Sequence, residues 1–350
     1  MRDRAITFLK IFVSAGLVIW AFSKVDLPQV GRQLASANPW YFVAALLLYE
    51  VAILVNGVKW QILLRAQGVR VPFKAVLEFL FIGFFFNNFL PANVGGDLMR
   101  GYGLARYTDR TADAAVSVIV DRVVGLMAYM STAVVAAIVV VNLTGHAELQ
   151  RLEWIATLAL LVLMAGFAAL LSRRGRALVD RLFSSRVLAP LAPAWGRVSG
   201  AFNAYRFQYR ALALAFGVAL LGILCTTFVN WMLSQSMGGL MPLATIVLIN
   251  PLIALVLMVP ISIGGIGVTQ TVYPFLFSRA GVPAYHALAV SLLMQLIVFL
   301  GGLPGAALWL RGVRKGGVAP LGRSPCGVAA QAAGETPVEA GAPNAPGRSH

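Results

Sequence analysis

Apolar residues along this chain fall into nine runs separated by short or basic connections. Most runs approach the roughly 20 residues that an α-helix needs to cross a bilayer. None shows the alternation of polar and apolar positions that a membrane β-barrel requires. The pattern therefore predicts an all-α polytopic membrane protein, with apolar runs at 5–22, 40–58, 75–90, 114–141, 154–171, 211–234, 243–259, 266–278 and 285–310.

Two of these runs are followed by the same letters, P-x-x-x-G-G. The copies occupy residues 91–96 and 260–265, and each has one small polar residue in the middle, Asn93 or Ser262. Proline and paired glycines interrupt helices. Broken helices in corresponding halves of a transporter often form its binding site. The repeat therefore predicts two broken-helix, re-entrant hairpins, with ordinary helix ends in loops as the alternative.

Lys and Arg set the predicted orientation. Five clusters hold 23 of the 28 basic residues, and all five should face the cytoplasm by the positive-inside rule. Following the crossings between clusters, we expect about six full spans plus one hairpin entering from each face, which is an inverted repeat. The protein should lie in the cytoplasmic membrane with both termini cytoplasmic. The same rule explains the net charge of +15 without nucleic acid.

The predicted domains follow from this topology. The first membrane repeat occupies residues 1–150 and the second occupies residues 151–312, including a basic cytoplasmic loop at 172–210. Residues 313–350 are rich in Gly, Ala and Pro and are expected to form a disordered cytoplasmic tail. Run 5–22 is interpreted as a span rather than a signal peptide, because mostly polar residues 23–34 separate it from the cleavage-like residues 35–37.

Polar residues and glycines flank both breaks. They either complete backbone hydrogen bonds that the breaks set free or line a polar site. Helix N-termini after the glycine pairs carry partial positive charge and would suit a lipid phosphate. The candidate headgroup ligands at the breaks are Asn88, Asn93, Gly95, Gly96, Ser262, Gly264, Gly265 and Gln270.

Charged residues add a second set of candidates. Asp97 and Arg100 lie three apart on one helix face. They predict either a helix cap with a local ion pair, or a phosphate site in which Asp97 orients the Arg100 guanidinium. Arg122 either binds the same phosphate or snorkels to the cytoplasmic boundary.

Three carboxyl groups are candidates for proton coupling. Glu50 and Asp121 lie within apolar runs, where a charge is costly, and Asp97 follows the first break. A structural buried carboxyl is the alternative for Glu50. Lys59 and Trp60, at the end of run 40–58, are interpreted as an interfacial anchor.

The sequence supplies little for metal or cofactor chemistry. Two cysteines and three histidines are scattered without ligand spacing. Nucleotide, serine-hydrolase and zinc-protease motifs are missing from the sequence. We expect neither a metal nor a cofactor.

Three stretches resemble signatures of the lysylphosphatidylglycerol synthase transmembrane, or flippase-like, family. They are N-F-L-P at 88–91 with G-G-D at 95–97 and Arg100, then Ser117 with D-R-V-V-G at 121–125, then P-I-S-I-G-G-I-G-V at 260–268. The resemblance covers roughly residues 5–312. Where the family's last signature tends to continue to a glutamate, this chain has Gln270, which puts any role for a charge there in doubt.

The resemblance implies an integral membrane protein whose family is associated with moving lipid across the bilayer. Some members also carry a soluble aminoacyl-transferring domain that makes lysyl-lipid. We expect a stand-alone member without that domain or its synthase activity.

Three functional hypotheses follow. The first is a flippase-like translocase, not an enzyme, that binds an anionic or phosphate-bearing lipid headgroup between the two hairpins. The second is a lipid-modifying membrane enzyme or subunit with Asp97 and Asp121 as acid–base groups. The third is an accessory lipid-binding or scaffold protein. In each case the expected partner is a membrane lipid rather than nucleic acid, and the sequence leaves open whether the chain forms a homo-oligomer.

Overall fold

The structure is a computed structural model that describes residues 22–23, 25–89, 94–144, 147–172, 199, 201–257 and 262–314. Ten α-helices and no β-strand form within these residues, which confirms the all-α class. They are α1 Leu27–Ala35, α2 Pro39–Ala66, α3 Phe73–Asn87, α4 Val94–Thr108, α5 Thr111–Thr144, α6 Ala147–Leu171, α7 Tyr209–Gln235, α8 Leu243–Leu257, α9 Val268–Arg279 and α10 Ala284–Arg314.

Four helices among the described residues are long and apolar enough to cross a bilayer. They are α2, the Thr111–Ala136 part of α5, α7, and the Ala284–Arg311 part of α10. Shorter apolar helices occur at Leu160–Leu171 and Leu243–Leu257. Large apolar side chains such as Leu47, Val162 and Leu303 are exposed on these elements, as lipid-facing positions should be. The chain is therefore a multi-pass membrane protein.

Other parts of the predicted topology remain predictions. Almost all of the first predicted span, 5–22, lies outside the described residues, as do 173–198 and 200 of the basic loop and 315–350 of the tail. Residues 313–314 end α10, so the helix runs just past the predicted domain boundary at 312.

Helix α2 is longer than the apolar run that predicted it. Asn38 caps its first turn by accepting from the backbone N–H of Trp40 at 3.0 Å, and Pro39 occupies the first helical position. The helix then continues for 28 residues to Ala66. At 1.5 Å per residue this is about 42 Å, more than the hydrocarbon thickness of a bilayer. Lys59 consequently lies within the helix and not at its end.

Both predicted breaks lie between helices, with α3 and α4 around the first and α8 and α9 around the second. Pro91, Asn93 and Pro260 lie outside the described residues. The expectation that a helix begins after the glycine pair is wrong for the first copy, because α4 begins at Val94 and contains Gly95 and Gly96 in its first turn.

The glycines of the two breaks meet different physical requirements. A Cβ on Gly96 would collide with the carbonyl oxygen of Gly83 and with the Asn87 side chain, so glycine allows α3 and α4 to approach closely. In the second break Gly264, Gly265 and Gly267 have φ of 58°, 76° and 85°, a left-handed conformation that favours glycine.

Among eight of the described helices, five packed pairs are preserved when the two halves are exchanged. Helices α2 and α7 pack together between the halves, α3 packs on α10, and α8 packs on α5. Likewise α4 packs on α5, and α9 packs on α10. Replacing α2, α3, α4 and α5 by α7, α8, α9 and α10 maps the α2–α7 pair onto itself and each of the other pairs onto another packed pair. Helix α3 therefore rests on α10, and α8 on α5, each a long helix of the other half.

Candidate functional site

A buried ion-pair network joins α2, α4 and α5. The Asp121 carboxylate lies 3.1 Å from Lys59 Nζ through Oδ1 and 2.9 Å from Arg100 Nη1 through Oδ2. All three side chains are at most 8% exposed. Removing one member of such a network would leave an uncompensated charge, which is far more costly than the pair itself. The three groups therefore depend on one another for neutralisation.

Asp97 extends this network towards Arg122. Its Oδ1 accepts from Arg100 Nε at 2.9 Å and lies 2.8 Å from Arg100 Nη2, while its Oδ2 pairs with Arg122 Nε. The local Asp97–Arg100 ion pair predicted from their spacing is thus present. We call the five residues Lys59, Asp97, Arg100, Asp121 and Arg122 the charge cluster; three cations and two carboxylates give it a net charge of +1.

Two residues of this region were misinterpreted from the sequence. Trp60 is fully buried, its ring lies 5.1 Å beneath the Arg100 guanidinium, and its Nε1 donates to Ser117 Oγ at 3.3 Å. Lys59 is buried against Asp121, so the interpretation of Lys59 and Trp60 as an interfacial anchor is wrong. The missed signal was Asp121 itself, because a carboxylate inside a span requires a buried cation.

A hydrogen-bond chain outside the spans holds the neighbouring helix ends. Burial raises the pKa of the Tyr205 phenol, and the charges of Asp121 and Asp113 raise it further. The protonated phenol donates to Gln67 Oε1 at 3.1 Å, and Gln67 Nε2 donates to Asp113 Oδ1 at 3.2 Å. This chain ties the residues before α7 to the end of α2 and the start of α5, the two helices that carry Lys59 and Asp121.

Two cavities adjoin the charge cluster. The charged cavity, about 210 Å³, is lined by all five cluster residues together with Asn56, Asn87 and Gly96. The neutral cavity, about 290 Å³, is lined by polar and apolar residues of both halves. Phe84, Asn87, Arg122 and Tyr129 line both cavities, so Arg122 connects them. The Arg122 side chain is also the most exposed of the cluster, at 37%.

The neutral cavity lies where the two breaks meet. A Cβ on Gly264 would lie 2.8 Å from the backbone oxygen of Asn88, so the second break touches the end of α3. Asn88, Ser262, Gly264 and Gly265 all line this cavity. Four of the candidate ligands at the breaks are thereby brought together.

A network of amides on α7 and α8 forms one wall of the neutral cavity. Tyr273 donates its hydroxyl hydrogen to Asn230 Oδ1 at 2.8 Å, and Asn230 Nδ2 donates to Asn250 Oδ1 at 3.3 Å. Asn250 Nδ2 in turn donates to Thr227 Oγ1 at 3.0 Å. Sequence reasoning missed these residues, although an asparagine within an apolar run signals helix–helix hydrogen bonding.

Other candidates lie away from both cavities. Gln270 Oε1 accepts from the backbone N–H of Gly267 at 2.7 Å and so holds the first turn of α9. Glu50 Oε1 lies 3.3 Å from the position that a Cβ on Gly301 of α10 would take. Neither residue lines either cavity, and nor does Gly95. Asn93 lies outside the described residues.

Asn87 has the structural role expected of polar residues at the breaks. Its Oδ1 accepts from the backbone N–H of Gly96 at 2.8 Å, which satisfies a free donor in the first turn of α4. Metal ligation has no support in the described part of the chain, where no group of three or more His, Cys, Asp or Glu side chains could hold an ion.

These features define a multi-pass α-helical membrane protein with a buried charge cluster beside a polar cavity where two helix breaks meet. The sequence profile described as "Lysylphosphatidylglycerol synthase TM region" matches residues 7–305. The chain belongs to this family, as its signature stretches predicted.

Archaeal membrane proteins are among its relatives. A UPF0104 membrane protein of Pyrococcus horikoshii is 24% identical over 325 residues, which cover 85% of this chain and 95% of the relative. A UPF0104 membrane protein of Methanothermobacter thermautotrophicus is 24% identical over 77% of this chain and 85% of its own length. A UPF0104 membrane protein of Methanocaldococcus jannaschii is 21% identical over 83% of this chain and 90% of its own length. The similarity thus extends along most of each chain.

Proposed function

We propose that this protein is a flippase-like translocase of the cytoplasmic membrane that binds a phosphate-bearing lipid headgroup between its two hairpins. The observation that carries the proposal is Arg122, which lines both cavities and is the one charged residue among the described lining residues of the neutral cavity, where both breaks meet. Polar cavities inside a membrane protein favour a polar cargo, because lipid tails cannot satisfy their hydrogen bonds.

Arg122 is the cation best placed to bind the phosphate. The Nε, Nη1 and Nη2 atoms of Arg100 are all engaged by Asp97 and Asp121, and its guanidinium also lies over Trp60. Arg122 is more exposed and lines both cavities. We therefore assign Arg100 to holding the cluster together and Arg122 to the headgroup, since guanidinium pairs well with phosphate oxygens.

We propose that the two hairpins form an inverted repeat with both termini cytoplasmic. Support comes from the helix packing, which keeps the same pairs when the halves are exchanged. Alternating access would then consist of one repeat rocking against the other around the neutral cavity.

Transport fits the cluster better than covalent chemistry. Asp97 and Asp121 each pair with two cations of the cluster, so both carboxylates are occupied by protein groups and neither is free to act on a substrate. These ion pairs would have to break before either carboxylate could carry a proton. Glu50, which lies outside the cluster, is the remaining candidate for proton coupling.

The test is lipid translocation in proteoliposomes that contain a headgroup-labelled phospholipid. We expect Arg122→Gln to slow translocation by about ten-fold or more, because a hydrogen bond to a charged group contributes about 1.5–3 kcal/mol. Arg110→Gln is the matched control, since Arg110 is 59% exposed and lines neither cavity.

Equal rates for wild-type protein and empty liposomes, across anionic and zwitterionic labelled lipids, would overturn the translocase proposal. Equal rates for Arg122→Gln and Arg110→Gln would remove Arg122 from the headgroup site.

A further inference from the structure

One buried acceptor in the neutral cavity has no donor within the part of the chain that the structure describes. Asn88 is 4% exposed and lines this cavity. Its Nδ2 donates to the backbone oxygen of Val298 at 3.4 Å, which sets the orientation of the amide. Its Oδ1 has no hydrogen-bond partner among the described residues. Because buried polar atoms are almost always hydrogen-bonded, Asn88 Oδ1 marks a position suited to a hydroxyl or amine hydrogen of a ligand.

The charges around the neutral cavity favour a hydroxyl donor over an amine donor. Arg122 is the one charged residue among its described lining residues, and it is a cation. The sequence linking α3 to α4 and that linking α8 to α9 contain neither Asp nor Glu. An ammonium group here would be buried beside a guanidinium without a protein counter-ion, which is costly. A neutral hydroxyl carries no such cost.

The size and the wall of the cavity suit a group larger than water. Its volume of about 290 Å³ is far above the roughly 10–15 Å³ that one water molecule needs. Asn230 donates to Asn250, and Asn250 donates to Thr227, so this wall is fixed before a ligand binds. Among the described lining residues, Asn88 Oδ1 is the fully buried side-chain acceptor without a protein donor.

We infer that the transported lipid has one charged group, its phosphate, followed by a neutral hydroxyl-bearing headgroup that donates to Asn88 in the neutral cavity. This inference rests on the proposed function and narrows its substrate class. The phosphate lies at Arg122, where the two cavities adjoin, and the hydroxyl-bearing end extends towards the breaks. Headgroups ending in an amine are disfavoured, including the lysyl headgroup named in the family's description.

The test measures binding separately from transport. The purified full chain is mixed with equal amounts of phosphatidylglycerol, phosphatidylethanolamine and lysylphosphatidylglycerol with identical acyl chains, and retained lipid is counted by native mass spectrometry. We expect phosphatidylglycerol to be favoured by about ten-fold over either amine-bearing lipid. The ammonium group of those lipids would be buried in the cavity without a counter-ion, which is costly.

Three variants sharpen the result. Asn88→Asp replaces the amide by a negatively charged carboxylate, at the loss of the hydrogen bond to Val298. It should move the preference by about ten-fold towards the amines, because charge-assisted hydrogen bonds are the strong ones. Asn88→Leu should weaken phosphatidylglycerol binding without favouring amines. Asn38→Asp is the matched control, since exposed Asn38 caps α2 outside both cavities and Asp retains that cap.

Several results would overturn the inference. One is that the wild-type protein retains phosphatidylethanolamine or lysylphosphatidylglycerol in the same amount as phosphatidylglycerol. This comparison does not depend on the folding of any variant. Another is that both Asn88 variants retain the three lipids in the same proportions as the wild-type protein. Asn88 Oδ1 would then bind water and not the headgroup. Displacement of phosphatidylglycerol by equimolar glycerophosphoglycerol would indicate a site for a free phosphodiester instead of a lipid.

The two proposals fail separately. Selective phosphatidylglycerol binding without translocation of any lipid would support the inference and overturn the translocase function. Translocation without headgroup selectivity would support the translocase function and overturn the inference.

Discussion

The two helix breaks share the letters P-x-x-x-G-G but use their glycines differently. In the first, Gly96 is helical and permits close contact with the backbone of Gly83. In the second, Gly264 and Gly265 adopt left-handed backbone conformations and precede the helix. A repeated motif therefore fixes where the chain is interrupted, while the packing around each copy decides what the glycines do.

The chemistry around the two breaks differs just as much. The first leads directly into Asp97 and Arg100 and joins the charge cluster. The second leads into Thr269 and Gln270, whose side chains bond to the backbone of their own turn. One break thus supplies charge and the other supplies neutral polar groups, and a ligand that contacts both needs one charged part and one uncharged part.

The largest effect that separates the two regions should come from Asp121. We expect Asp121→Asn to destabilise the protein by about 3–5 kcal/mol, because Lys59 and Arg100 would lose the carboxylate that neutralises them in a buried site. The free energy of unfolding can be measured by titrating dodecyl sulfate into detergent micelles that contain the protein.

Asp113→Asn makes the same chemical change at a carboxylate that is 27% exposed and 3.8 Å from its partner Arg110. It should cost less than about 1 kcal/mol. Equal losses for Asp113→Asn and Asp121→Asn would contradict the buried network.

The contact between the breaks gives the next largest effect. Gly264→Ala places a methyl group 2.8 Å from the Asn88 backbone oxygen at a residue with φ of 58°. Gly68→Ala meets the same backbone penalty at φ of 80° but has open space around it. We expect Gly264→Ala to cost about 1–3 kcal/mol more than Gly68→Ala in unfolding free energy, which is the usual cost of overpacking. Similar costs would mean that the two breaks do not touch.

Loss of a cap should have a smaller effect, of similar size at both breaks. Asn87→Ala removes the acceptor for Gly96 N–H, and Gln270→Ala removes the acceptor for Gly267 N–H. Each should cost about 1 kcal/mol, as for other helix caps. The two variants differ in lipid binding, because Asn87 lines both cavities and Gln270 lines neither. A loss of lipid binding in Gln270→Ala equal to that in Asn87→Ala would contradict this distinction.

The smallest effect tests the departure from the family signature. Gln270→Glu retains an oxygen acceptor for Gly267 N–H at the N-terminus of α9, where negative charge is favourable. We expect unfolding free energy to change by less than about 0.5 kcal/mol and translocation to be unchanged. A large gain in translocation would show that the glutamate has a direct role in transport.

Local sequence patterns predicted much of the fold. Hydropathy identified the long helices, and the repeated Pro and Gly motif marked where two pairs of helices are interrupted. The spacing of Asp97 and Arg100 predicted their ion pair because both lie on one helix. Each of these signals depends on neighbours a few residues away.

Contacts between distant segments could not be predicted in the same way. Lys59 and Asp121 belong to different helices, so their pairing depends on how α2 packs on α5. The Asn230–Asn250 wall depends on the packing of α7 on α8, and the shared contact of Asn88 and Gly264 joins the two halves. Hydropathy alone reports none of these arrangements.

The positions of these contacts along the chain also set an order of assembly during synthesis. Every member of the charge cluster lies between Lys59 and Arg122, so its charges can neutralise one another once α2, α4 and α5 have been made. The neutral cavity needs Val298 of α10 as well as Asn88, and so it is completed only near the end of translation. Membrane domains that form early can therefore shelter the costly charges while the second half is still emerging.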